Sequence, residues 1–333
     1  MVYFKFEFGL GSGKKASKKA APKCITLGWD FVNDEVMRLK TAGRFKTASN
    51  YLTAARSWTK FMEKSDWRFS EMEVVVVERY QRWLSERGVC LNTISAYMRA
   101  LRVMYHRAME AGKQEPSVGL ECQKGIGSNP FVKVFTGRAK TAKRSISEKE
   151  ILQLHNLQLP KYSSLSLARD IFLFGFYAMG MPFVDIAYLR KSNLREGFIL
   201  YARHKTGQPI RVAILPPMRE LMQRYNRPDS EYLFPILSEG CADTLHRQYL
   251  RHLRQYNYSL HRLSEMMEVS RPLSSYVVRH TWASIAYQHH VDISLIGKAL
   301  GHTKTSTTLL YIRSLFDPDL ADANQGLMED IGL

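Results

Sequence analysis

The chain has 333 residues, 45% hydrophobic and 24% charged, the balance of an ordinary globular protein with room for about two domains and an appendage. Its 48 Lys and Arg outnumber 31 Asp and Glu, and the resulting net charge of +17 implies a polyanionic partner, with nucleic acid ahead of the blander reading of a merely basic enzyme or ribosome-associated protein. Four scattered cysteines (Cys24, Cys90, Cys122, Cys241) without a CxxC pair, and no run of about 18 apolar residues, argue against a disulfide scaffold, a zinc site and a membrane span. The cysteine usage fits a reducing cytosol, and the charged stretch MVYFKFEFGLGSGKK does not read as a secretory signal.

Residues 1–43 read as a basic appendage. Their Gly-, Ala-, Ser- and Lys-rich stretch GLGSGKKASKKAAPK suits a flexible segment that either touches phosphate or only aids solubility. From about Thr47 the apolar positions turn helical: Tyr51, Ala54, Ala55, Trp58 and Met62 recur at three and four residues. A second helix is predicted over Met72–Glu86, closed by Gly88. A third starts near Leu91, carries Ile94, Tyr97, Met98, Leu101, Met104 and Tyr105 on one face, and ends at Gly112. Residues 44–117 thus form a compact all-helical domain. Residues 118–146, with Gly125, Gly127, Asn129-Pro130 and Gly137 among six basic residues, read as a basic linker able to follow a phosphate backbone.

A second domain is expected over 147–333. Ser147 with Glu150 is a capping box before Ile151 and Leu152. An apolar helix over Leu165–Met179 follows, then two strands, Phe198–Ala202 and Ile210–Ile214, around a Lys205-Thr206-Gly207-Gln208 turn. Helical patterns return at Met218–Tyr225, Thr244–Tyr256, Tyr276–His289 and Ile293–Leu300. The predicted class is mainly α, with a small β-hairpin in the second domain.

Chemistry gathers near the C-terminus. Arg279-His280-Thr281-Trp282-Ala283 opens a helix, Leu300-Gly301-His302 follows, and Tyr311 stands nine residues beyond His302 in the string TLLYI; Lys205 lies upstream in the hairpin turn. Taken singly each is commonplace: a surface Arg-His, a helix-capping Gly-His, one tyrosine of seventeen, a loop lysine. As an ordered set, R-H-T-W-A-S, L-G-H and T-x-x-Y-I resemble the C-terminal signature of the tyrosine recombinase (phage integrase) family, and the domain order agrees over roughly residues 45–315.

The resemblance implies a two-domain DNA clamp, an all-helical core-binding (SAM-like) domain followed by a catalytic domain. It implies a site-specific recombinase that cuts and rejoins DNA without metal or cofactor. Phosphodiester exchange of that kind needs a nucleophile, cations on the non-bridging oxygens and an acid for the departing 5′ oxygen. By the resemblance Tyr311 is the nucleophile, giving a 3′-phosphotyrosyl intermediate. Arg279 binds two phosphate oxygens, His302 hydrogen-bonds a phosphate oxygen or assists proton transfer, Lys205 is the general acid, and Tyr276, where the family usually has histidine, donates a hydrogen bond. The implied partner is double-stranded DNA with an inverted-repeat core site, bound by a homotetramer, in some cases with accessory DNA-bending proteins. The implied setting is the cytoplasm and nucleoid of a bacterium, with no membrane association.

One departure matters. The family's G-L-R-x-x-E-L stretch corresponds to Gly180-Met181-Pro182-Phe183-Val184-Asp185-Ile186, so Pro182 stands where its first arginine belongs, and Met179 where a branch of the family places one. Arg169, Arg190 and Arg203 are the arginines placed to supply the charge through space, and Asp185 either buttresses the site or faces solvent. Two other functions therefore stay open: a DNA-binding protein of recombinase fold with impaired cleavage, and a type IB topoisomerase. The apolar residues of the tail, Leu320, Leu327, Met328 and Ile331, fit docking on a neighbouring subunit or on its own domain.

Overall fold

The computed structural model describes residues 28–114, 129–139, 145–269, 271–302 and 307–309. It divides into two units, Met1–Ala139 and Lys140–Leu333. The expected nucleophile Tyr311, the C-terminal tail and residues 1–27 lie outside the described residues.

The first unit is helical: α1 (Gly28–Thr41), α2 (Phe45–Met62), α3 (Val74–Glu86) and α4 (Leu91–Gln114). Each buries the stripe that its periodicity picks out. On α2 that stripe is Ala48, Tyr51, Ala54, Ala55 and Trp58. Trp58 is fully enclosed, with Tyr80 edge-on at 5.0 Å and Trp67 at 6.4 Å between ring centroids. The polar ends of Trp29, Trp67 and Tyr80 are satisfied, while the buried Trp58 Nε1 has no hydrogen-bond partner among the described residues. Trp29 and Trp67 both donate to Thr59 Oγ1, at 3.0 and 2.8 Å, and the Tyr80 hydroxyl meets Ser57 at 2.7 Å.

Two expected boundaries move. Gly28–Thr41, placed by sequence in the appendage, is a helix whose Phe31, Val32, Val36 and Leu39 join the first core. Its buried Glu35 is paired with Arg38 and with Arg107 of α4, which locks the helix to the unit. Residues 129–139, placed in the linker, also pack on the first unit. Phe131 and Val134 are buried in its core, and Asn92 exchanges hydrogen bonds with the Ala139 backbone at 3.0 and 3.2 Å. The rest of the expected linker, residues 115–128 and 140–144, lies outside the described residues.

The second unit is built around α6 (Ser164–Tyr177), which buries Ile171, Phe172, Leu173 and Phe174 in succession. A run of consecutive buried apolar residues leaves that part of the helix no solvent face, so other elements must cover it. Around it pack α5 (Glu148–Asn156), α7 (Phe183–Ala187), α8 (Pro216–Arg224), α9 (Ala242–Met266) and α10 (Val277–Gln288), with α11 (Ile293–Ala299) against α10. The Ser147–Glu150 capping box forms as expected. Helix α9 runs ten residues past the Tyr256 expected as its end, because Leu260 and Leu263 continue its buried stripe. The strands β1 (Leu194–Arg195), β2 (Phe198–Ala202) and β3 (Pro209–Ala213) form an antiparallel sheet in that order, with Ala202 opposite Pro209 at the hairpin end. Ile199 on β2 and Ile210 and Val212 on β3 are buried.

Candidate active site

The expected site residues of the second unit come from three places that the fold brings together. Arg279 lies in the first turn of α10 and is 2% exposed. Its Nη1 donates to the Gly180 carbonyl at 3.2 Å and its Nη2 donates to the carbonyl of Leu300. Leu300 caps α11, and its carbonyl is one of those that a helix end leaves without an intrahelical donor. The next residue, Gly301, is left-handed (φ 62°), and the chain turns there to present His302. His302 Nε2 lies 3.4 Å from Arg279 Nη2, and its Nδ1 lies 2.9 Å from Thr308 Oγ1. Arginine only donates, so Nε2 accepts in this arrangement and the ring proton sits on Nδ1.

The same carbonyl has a second donor. Arg203, at the end of β2, is 8% exposed and its Nη1 donates to Leu300 at 2.9 Å. Strand geometry explains why it points inward. Alternation carries Ile199, Tyr201 and Arg203 to the face that packs on the core, while His204 and Lys205 of the turn are exposed. Asp185 on α7 is 4% exposed, accepts the His204 backbone N–H at 2.9 Å and faces Arg203 Nε at 3.6 Å. Asp185 is therefore buried at the site rather than solvent-facing.

Charge is concentrated here. Burial pushes the His302 imidazole down to about 4, helped by Arg279, Arg203 and Lys205 in that order, so the ring is neutral near pH 7. Burial lifts the Asp185 carboxyl, opposed by the His204 N–H, Arg203 and Arg279. Three cations thus surround one neutral histidine, an arrangement suited to an anion.

The uncharged stretch is equally clear. Met179 packs on the apolar core, and Pro182 caps α7. Of the three arginines that could replace the missing one, Arg169 is held by Asp170 and the Leu157 carbonyl. Arg190 is held by Glu231 and the Tyr232 ring. Arg203 alone of the three shares a partner with Arg279. Tyr276 caps α10, is 43% exposed and meets the His280 ring edge-on at 4.9 Å. By sequence Arg203 is one of three candidates; its parity with Ile199 on the strand is the signal that singles it out.

The model of the phage integrase SAM-like domain matches residues 29–118, and that of the phage integrase family matches residues 144–317, more than half of the chain. The chain belongs to the phage integrase family. Both Lys205 and Tyr311 fall within the matched range. The domain match begins at residue 29, in agreement with α1 belonging to the first unit. Tyrosine recombinase XerD of Ralstonia nicotianae is 27% identical over 140 residues, 40% of this chain and 44% of that protein. Tyrosine recombinase XerA of Pyrococcus furiosus is 25% identical over 181 residues, 52% and 58% of the two chains. The chain therefore spans about half the length of these relatives. Among solved structures, a lambda integrase dimer bound to a COC′ core site superimposes with a TM-score of 0.57 at 13% identity, covering 85% of this chain and 76% of that one. The Tn1549 transposon integrase in complex with transposon right end DNA gives 0.58 at 13% identity, covering 92% and 100%. At such identities the likeness is one of fold, and the integrase architecture of helical and catalytic domains is shared.

Proposed function

We propose that this integrase-family chain is a site-specific DNA recombinase of a mobile element, an integrase or an invertase, working at the bacterial nucleoid through a 3′-phosphotyrosyl intermediate. The observation that carries the reading is the meeting of Arg279 and His302, 3.4 Å apart, beneath the hairpin that bears Lys205. In the proposed step the Tyr311 oxygen attacks phosphorus and the bond to the 5′ oxygen breaks. Arg279 balances charge on the non-bridging oxygens. Lys205 gives its proton to the departing oxygen. Neutral His302, once phosphate engages Arg279, has an Nε2 lone pair with which to take the tyrosine proton. The phosphotyrosyl bond conserves the energy of the phosphodiester, so attack by the 5′ hydroxyl of a second strand rejoins DNA without ATP. The partner is a duplex core with inverted repeats. A tetramer on two duplexes, with or without DNA-bending proteins, follows the tetramer on a Holliday junction seen for lambda integrase.

Covalent trapping tests this. The full chain is incubated with nicked duplexes made from the repeats that flank its gene, and an SDS-resistant adduct is sought with Tyr311→Phe as control. The expected result is an adduct that the phenylalanine variant abolishes while duplex binding persists. Binding without any adduct would instead support a DNA-binding protein of recombinase fold. Relaxation of supercoiled plasmid lacking the repeats would support a topoisomerase.

A further inference from the structure

We infer that Arg203 supplies the second guanidinium that holds the scissile phosphate, in the place left uncharged by Met179 and Pro182; the inference rests on the recombinase reading above. Arg203 is buried where a cation is expensive unless paired. Its pairing is incomplete. Asp185 Oδ2 is 3.6 Å from Nε, beyond hydrogen-bond reach, and neither atom has a hydrogen-bond partner among the described residues. A guanidinium carries five N–H donors in a planar fork, and the Leu300 carbonyl takes one of them. Donors remain for an incoming anion.

The direction of the fork is set by its neighbours. Arg203 and Arg279 reach the same carbonyl oxygen, so their donors converge on one small region beside His302. Two forks that close on one acceptor are placed to take two oxygens of one phosphate. The L-G-H turn is shaped to Arg203 itself: a Cβ on Gly301 would stand 2.7 Å from Arg203 Cδ. Asp185 acts as a positioning residue, because it holds the His204 N–H and so the start of the turn that carries both Arg203 and Lys205. One hairpin thereby delivers a phosphate-binding cation from its buried face and an acid from its exposed tip.

A brace for the turn would use the same contacts, and substrate charge separates the two roles. Wild type, Arg203→Ala and Arg203→Lys are compared on the nicked duplexes described above, with either a phosphate or a neutral methylphosphonate at the scissile position. Arg203→Ala is expected to slow adduct formation about 100- to 1000-fold on phosphate, the size of effect of a lost charge-stabilising donor, and to be close to wild type on methylphosphonate, where that charge is gone. Arg203→Lys keeps the charge without the fork and serves if the alanine variant does not fold. It is expected to show a smaller loss on phosphate and none on methylphosphonate. Equal losses on both substrates, or no loss on phosphate, would overturn the assignment of Arg203 while leaving the recombinase reading intact. A wild-type chain that gives no adduct on either duplex overturns both.

Discussion

Removing the carboxylate of Asp185 probes the polar core of the second unit. Asp185→Ala strips Arg203 of its counter-ion while the guanidinium stays 8% exposed. Breaking a buried pair from one side costs about 3–5 kcal/mol. The lower end applies here, because Arg203 keeps its bond to Leu300 and the released His204 N–H belongs to an exposed residue that water can reach. Asp185→Asn keeps the acceptor for that N–H and is expected to cost about 1–3 kcal/mol. Arg203→Met alone leaves the carboxyl with one opposing charge fewer, so its burial-driven lift increases. A carboxyl lifted in the folded state favours folding where it is protonated. That variant should therefore gain stability as pH falls toward the ordinary carboxylate range and lose it as pH rises. The double variant removes both charges and should cost at least about 1 kcal/mol less than the sum of the singles. Equilibrium denaturation of the full chain labelled with 5-fluorotryptophan reads this directly. Of the five tryptophans Trp282 is alone in the second unit, so its ¹⁹F signal reports that unit. An Asp185→Ala cost within about 0.5 kcal/mol of zero, or strict additivity in the double variant, would refute the pairing.

Trp58→Ala should destabilise the first unit by about 3–5 kcal/mol, seen in the tryptophan signals of that unit; a cost below about 1 kcal/mol would contradict its enclosure. The imidazole of His302 should titrate near 4 in the free protein by NMR. Its folded value lies below 6.5, so its contribution to stability is present above that pH and is lost as pH falls through about 4. Bound duplex, by placing phosphate against the arginines, should raise that midpoint; an unchanged midpoint would place the phosphate elsewhere. Duplex affinity should fall linearly in log–log terms as salt rises, and a flat response would mean that the net charge of +17 is not used for DNA.

How much was legible beforehand follows from the range of the interactions involved. The Ser147–Glu150 capping box, the hairpin from Phe198 and the helix beginning at Leu91 are specified within a few residues, and each appears where the pattern placed it. Helix α1 was hidden by its neighbourhood. It follows a Gly- and Lys-rich stretch, and its core side holds Glu35, which becomes tolerable only through Arg107, 72 positions away. Residues 129–139 read as a linker from their Asn129-Pro130 pair, Gly137 and charges. Their backbone is nevertheless held by Asn92 and by Ser95, whose hydroxyl donates to Gly137 at 2.6 Å. Such partners cannot be inferred from a local window.

The sequence by itself determined the family and the helical character of both units, and it singled out Arg279, His302 and Lys205 as candidates, because short ordered motifs and periodicity are local properties of the chain. Only the tertiary structure decided which arginine stands beside Arg279. Arg203 and Leu300 are 97 residues apart, and they meet because one end of a strand and one end of a helix are packed on the same core, where a carbonyl left over by the helix accepts from two buried guanidiniums.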